Sequence, residues 1–408
     1  MLNRQWPSWI SRALTVSGVL ATLGFAYCLV NPHGFTPWLW ASHYNISFLD
    51  LVGRINNLKQ LQHTGNIYNW NGPEAFTYPP GAIFFFWPVQ YLGVRFWEYF
   101  SSIVTLWAMA LSFTLVLQKL RRATWRNALA LGCWLSVILA AIFPPLMSDL
   151  VWGNISTVIL AITVIDFLVL PPKYRGVLIG IAAAIKIYPI IFVAWWAWRR
   201  RWSEVRLALL SSSLLTLLAT LIWWKSAHTF FVTQVFGGGA LHRFRGPSFN
   251  SSSLFAFFSR PPFHSGDAPF WFVTVLSLVL LVLAFRGAAR FVDGRNMMSA
   301  FIVLSAAMRI VMPIAWDHYF VFIPFLFFAI LELGWSATFS KVSACGFILL
   351  MFPWVFLRIS NPTPHSPIEA LNNFLEQNII LAVMVALIVS ANFLVAEPKS
   401  LPATTAAN

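Results

Sequence analysis

Apolar runs of about twenty residues recur along this chain, and short turns rich in Lys and Arg separate them. Runs of that length match the hydrocarbon core of a bilayer and read as membrane helices. Charged residues make up only 10% of the 408 residues, against about a quarter in a soluble chain. The net charge of +14 would suggest a nucleic-acid partner on a soluble protein. Here most of it sits in turns between spans, where it sets orientation, so no nucleic acid is expected. Cys28, Cys133 and Cys345 all lie inside apolar runs, which argues against a disulfide framework and against a metal site.

Arg4 and Arg12 precede or begin the first run, 11–31, and place the N-terminus in the cytoplasm. No small-x-small cleavage site follows, so this run is read as an uncleaved span. Residues 32–96 then form a first outer loop, in which 80–92 dips into the bilayer and returns. Spans are expected at 97–118, 127–147 and 155–170, with an outer turn at 148–154. Both flanks of 176–198 are basic, Lys173 and Arg175 before it and Arg199 to Arg201 after it. Two half-helices meeting near Lys186 and Pro189 satisfy both flanks, and one crossing does not. The reading continues with a span at 204–224, a second outer loop at 225–268, and spans at 269–286, 297–314, 319–336 and 341–357. An outer segment, 358–376, precedes a last span at 377–396. The fold class is all-α and polytopic, with about twelve transmembrane or broken membrane helices. A single membrane domain covers 1–397, and 398–408 is a short disordered cytoplasmic tail.

The densest group of polar and special-backbone residues lies at 45–90. Phe48, Leu51, Val52, Ile55 and Leu58 follow helical spacing and form one face. Asp50, Arg54 and Asn57 form another. Such a helix is expected to lie on the membrane surface, apolar side down, until Gly65 breaks it. Tyr78-Pro79-Pro80 imposes an extended approach to the next apolar run, where the prolines can start a helix. In the topology above, Asp50, Tyr78, Asn154, Asn250 and Trp316-Asp317-His318 all come out on the outer side. Lys186 falls just below them.

Asp50, Gly65, Tyr68, Tyr78, Pro79 and Pro80 together resemble the first outer loop of glycosyltransferase family 87. That resemblance implies the GT-C fold and transfer of a sugar, mannose first, from a polyprenyl-phosphate donor. It makes Asp50 the catalytic base, taking the acceptor's hydroxyl proton while phosphate leaves. The bland alternative for Asp50 is an exposed helix pair with Arg54. Lys186, in the apolar GIAAAIKIYPIIF, resembles a family element and is expected to clamp the donor phosphate. Its bland reading is snorkelling. Arg309 and His318 are further candidates for the phosphate, and Arg309 is alternatively a partner for Asp317. Gly153-Asn154, Asn250-Ser-Ser-Ser-Leu254 and Trp316-Asp-His-Tyr319 each resemble a family motif with one departure. Substrate-binding candidates are therefore Arg54, Tyr68, Tyr78, Pro79, Pro80, Asn154, Asn250 and Trp316. His242, Arg243, Arg245 and Arg260 read mainly as headgroup contacts.

No Gly-rich nucleotide loop and no D-x-D sequence occurs, which argues against a nucleotide-sugar enzyme; no cofactor is expected. The expected partners are the lipid-linked donor, a lipid or glycan acceptor and the bilayer, with the site outside a bacterial-type plasma membrane. Two alternatives remain open. One is a GT-C enzyme using another polyprenyl-phosphate sugar, a pentose or an aminosugar. The other is a secondary transporter, which broken helices and an intramembrane lysine would also suit.

Overall fold

The computed structural model describes residues 7–31, 48–69, 75–120, 123–237, 251–258, 270–312, 315–351 and 367–393. All elements among them are helical. In chain order these are α1 (Ser8–Val30), α2 (Leu49–Thr64), α3 (Ala82–Phe86), α4 (Val94–Lys119), α5 (Trp125–Ile142) and α6 (Pro144–Trp152). Then come α7 (Ser156–Val164), α8 (Val177–Ile185), α9 (Ile190–Trp198), α10 (Trp202–Ile222), α11 (Trp224–His228) and α12 (Leu254–Phe258). The remainder are α13 (Phe270–Asp293), α14 (Met297–Val311), α15 (Leu326–Leu333), α16 (Thr338–Met351) and α17 (Pro367–Phe393).

Five described helices are long and apolar enough to cross a bilayer: α1, α4, α5, α10 and α13. The count is six if α6 and the helix from Ser156 to Val169, bent by 117° between them, form one broken span. Three shorter apolar helices, Met297–Val311, Thr338–Met351 and Asn378–Phe393, accompany them among the described residues, and the expected count of about twelve included short and broken segments of this kind. Three segments differ from the reading of the sequence. Residues 148–152, expected in a turn, belong to α6, because Pro144 and Pro145 start a new helix immediately after α5. The expected span 319–336 is broken into 3₁₀ turns at Asp317–Phe320 and Ile323–Phe325 and an eight-residue α15. Pro324 has no N–H to continue a ladder, and Gly334 at φ 79° ends the helix. The last helix begins at Pro367, inside the segment expected to be extramembrane.

The region 176–198 is two nine-residue helices, α8 and α9. A Cβ on Gly176 would meet the Glu204 carbonyl, and one on Gly180 would meet the Ala208 carbonyl. Four residues along α8 thus match four along α10, so these helices run parallel. The turn Arg199 to Arg201 joins α9 directly to the start of α10. The chain therefore enters α8 and leaves α9 at one end, and Lys186 stands at the tip of the hairpin. Close backbone approach through Gly180 is what lets the short helix rest on α10.

α2 is not a surface helix with a dry and a wet side. Leu51, Ile55, Leu58 and Leu61 are buried on one face, and Asp50, Arg54 and Asn57 are buried on the other. The polar face is covered by the segment before Tyr78: Phe76 N donates to Asn57 Oδ1 at 3.2 Å, and Arg54 Nη1 donates to the Ala75 carbonyl at 3.3 Å. Gly65 ends α2 at φ 73°, as its type suggests.

Candidate active site

The site forms where α2, the α6–α7 bend, the α8–α9 tip and the end of α14 converge. Phe48 N donates to the Val151 carbonyl at 2.8 Å, fixing the start of α2 against the last turn of α6. Gly153 follows at φ 65°, and a Cβ there would sit 2.9 Å from Leu51 Cβ. Glycine is required on both counts. The bend delivers Asn154 toward α2.

Asn154 connects the two candidate charges. Its Nδ2 donates to Asp50 Oδ2 at 2.5 Å, and its Oδ1 accepts from Lys186 Nζ at 2.9 Å. Lys186 Nζ donates again to Ser156 Oγ at 2.8 Å. Asp50, Asn154 and Lys186 are 8%, 5% and 5% exposed, so this chain of polar groups is largely removed from water. Arg54 Nη2 lies 3.5 Å from Asp50 Oδ1, and its guanidinium lies over the Tyr78 ring at 4.7 Å. The pair expected to be exposed is buried. Asp50 thus has two donors in reach, one neutral and one charged. Burial pushes the Tyr78 phenol well above its usual range, so it stays protonated, and its oxygen accepts from Asn154 Nδ2 at 3.5 Å. Tyr68 acts from behind, donating its hydroxyl to the Tyr78 carbonyl at 2.7 Å. Pro79 and Pro80 are buried, and their carbonyls receive the N–H groups of Ala82 and Ile83 at the start of α3.

Arg309, on α14, is 2% exposed. It forms no ion pair among the described residues, with Asp317 or any other acid. Its guanidinium lies 4.6 Å from the Tyr188 ring and 5.3 Å from the Tyr319 ring. Lys186 Nζ reaches the same rings at 5.5 Å and 4.4 Å. Two buried cations thus share two tyrosines. His318 is buried beside Tyr319, its ring 4.7 Å away, and Trp316 is partly exposed. Asn250, His242, Arg243, Arg245 and Arg260 lie outside the described residues. The neighbouring serines are seen: Ser251 Oγ accepts from Ala315 N at 2.9 Å, and Ser252 N donates to the Ala315 carbonyl at 3.0 Å. The serine element and the Trp316 element are therefore paired in space.

Asp149, Ser156 and Tyr188 were not singled out in the sequence. Asp149 is fully buried and accepts from Ser156 N at 3.1 Å and Thr157 N at 2.8 Å, capping α7. This carboxylate also places negative charge where Lys186 meets the positive end of α7. An acid inside the apolar run PPLMSDLVW was the available signal.

The arrangement offers a carboxylate that can take a proton and cations that can stabilise a leaving anion, held within one buried network. The family model described as Glycosyltransferase family 87 matches residues 76–315, more than half of the chain. The matched segment takes in Tyr78, Asn154, Lys186 and Arg309 and starts after Asp50. The chain is 25% identical over 293 residues to a polyprenol-phosphate-mannose-dependent alpha-(1-2)-phosphatidylinositol mannoside mannosyltransferase of Mycobacterium tuberculosis, covering 67% of each chain. It is 24% identical over 375 residues to a polyprenol-phosphate-mannose-dependent alpha-(1-2)-phosphatidylinositol pentamannoside mannosyltransferase of Mycolicibacterium smegmatis, covering 86% of this chain and 83% of that one. No solved structure gives a significant match.

Proposed function

Since the chain belongs to glycosyltransferase family 87, we propose that it moves mannose from a polyprenyl-phosphate donor to a hydroxyl of a lipid-linked glycan, with inversion at the anomeric carbon. The observation that carries this reading is the Asn154 side chain, which joins the Asp50 carboxylate to the Lys186 ammonium. In transfer, the acceptor oxygen bonds to the anomeric carbon as the bond from that carbon to the phosphate oxygen breaks. The acceptor's proton passes to Asp50. Phosphate leaves as an anion, so no second carboxylate is needed to protonate it, unlike in a glycosidase. Buried cations meet the developing charge in a medium of low dielectric, where their effect is large.

The relatives' names point to a polyprenol-phosphate-mannose donor, a phosphatidylinositol mannoside acceptor and an α-(1→2) linkage. We assign the site to the extracytoplasmic face. Lys173, Arg175 and Arg199 to Arg201 flank the open end of the α8–α9 hairpin, opposite the tip that carries Lys186, and basic turns favour the cytoplasm.

Asp50→Asn tests the reading. Asparagine keeps the shape but does not take a proton at neutral pH. Transfer to a glycolipid acceptor should fall about 10²–10⁴-fold, the usual cost of losing a general base, while donor binding and thermal stability persist. An Asp50→Asn protein that transfers mannose at the normal rate would end it.

A further inference from the structure

Two buried cations stand close together in this site, and they are not equivalent. Lys186 has spent two of its three protons on Asn154 Oδ1 and Ser156 Oγ. Both acceptors belong to the bend that presents Asn154 to Asp50. Together with Ile155 N at 2.8 Å and Ser156 N at 3.2 Å, the Lys186 ammonium holds the Asn154 oxygen on the side away from Asp50, which leaves the nitrogen toward the carboxylate. Lys186 is the charged donor of that set, so its loss weakens the hold on the amide that faces Asp50.

Arg309 differs. Its Nε is enclosed and has no hydrogen-bond partner, and its one side-chain contact of that kind is a weak one, Nη1 to Met312 Sδ at 3.9 Å. Beside it stands Tyr188, 5% exposed, with its hydroxyl also enclosed and without a hydrogen bond of good geometry. Ser156 and Arg309 are its polar neighbours. Buried donors are ordinarily paired, because an unpaired one costs the desolvation of the group. Two unpaired donors on neighbouring side chains, one of them a cation with no direct ion pair among the described residues, are the features of a site that an anion completes.

We propose that Arg309 and Tyr188 hold the donor's phosphate, and that Lys186 is a positioning residue that orients Asn154 against the base. This rests on the transfer reading above and divides its labour. The phosphate receives N–H from Arg309 and O–H from Tyr188. The Tyr188 ring is in reach of both cations, 4.6 Å from the Arg309 guanidinium and 5.5 Å from Lys186 Nζ.

The test uses the full-length protein in detergent and two lipids, polyprenyl monophosphate and the neutral polyprenol of equal chain length. Tyr188→Phe keeps the ring and both cation–π contacts and removes one hydroxyl. It should weaken polyprenyl monophosphate binding about tenfold or more, the range of a hydrogen bond to a charged group, and leave polyprenol binding unchanged. Arg309→Lys should act in the same direction. Lys186→Met should bind polyprenyl monophosphate within a few-fold of the parent while kcat falls steeply. Unchanged monophosphate binding in Tyr188→Phe overturns the assignment, as does loss of that binding in Lys186→Met with no loss in Arg309→Lys. If Arg309→Lys does not fold, Tyr188→Phe and Lys186→Met decide. The binding readout involves no acceptor and no bond-making. It can fail while Asp50→Asn is still inactive, and it can succeed if Asp50 proves dispensable, so the two claims are separable.

Discussion

Replacing Asn154 by Asp changes one group and keeps its shape. In the parent, Nδ2 donates to Asp50 Oδ2 at 2.5 Å. In Asn154→Asp an oxygen takes that place, and two carboxylates face each other at hydrogen-bond distance. At about 3 Å and an effective dielectric near 20, two such charges repel by roughly 5 kcal/mol. One proton therefore stays on the pair through neutral pH. Lys186, already 2.9 Å from residue 154, holds the new charge there. The proton then sits on Asp50, and the base is lost. Since 1.36 kcal/mol is one pH unit, a repulsion of roughly 5 kcal/mol moves the pair's second ionisation from about 4 to just above 7, so transfer at pH 7 should fall several-fold, drop about tenfold further for each unit below that, and recover as pH rises. The fold should tolerate the change, because Lys186 gains an ion pair and the shared proton preserves a hydrogen bond. Asn154→Leu should do the opposite to stability. It leaves Lys186 and Asp50 each short of a charged hydrogen bond, about 1.5–3 kcal/mol apiece, and should melt lower. Rate against pH for purified Asn154→Asp, alongside melting curves for both variants, is the measurement. A normal rate at pH 7 with an unshifted pH profile would refute the contact between residue 154 and the base.

Arg54→Gln should be damaging, because Arg54 is 4% exposed, faces Asp50 and lies over Tyr78; breaking a buried pair costs about 3–5 kcal/mol, so a melting temperature equal to the parent's would contradict the burial. Asp317 is half-buried with one oxygen enclosed and unpartnered, and burial pushes its carboxyl from its usual 3.8 up to about 7. The folded state thus holds this proton longer than the unfolded chain, so its contribution makes stability fall as pH rises from about 4 to about 7. Asp317→Asn should flatten that part of the melting-temperature profile, and parallel profiles for the two proteins would discount it.

The membrane class was legible because it depends on composition summed over long windows, and such sums do not depend on contacts. Lys186 was legible for a related reason: a lone ammonium in an apolar run is costly wherever the run is buried. The basic flanks of 176–198 conveyed the hairpin, since charge in turns reports on topology before any packing is known. The face carrying Asp50, Arg54 and Asn57 followed from the helical period. What that face meets did not. Asp50 and Asn154 are 104 residues apart, and nothing local says that the bend after α6 brings them together. Burial of the Asp50–Arg54 pair, read from sequence as an exposed one, likewise depends on Phe76 and Ala75 folding over α2 from the next segment. The 3₁₀ breaks around Pro324 were hidden by hydropathy, which counts apolar residues and ignores whether a backbone N–H exists to continue a ladder. Sequence determined which residues are too costly to be idle, because desolvation penalties belong to the residue type. Only tertiary structure decided that two of Lys186's protons go to Asn154 and Ser156 while Arg309 keeps its Nε unpaired, because a hydrogen bond requires a partner within about 3 Å, and partners from distant segments reach that distance only when the helices pack.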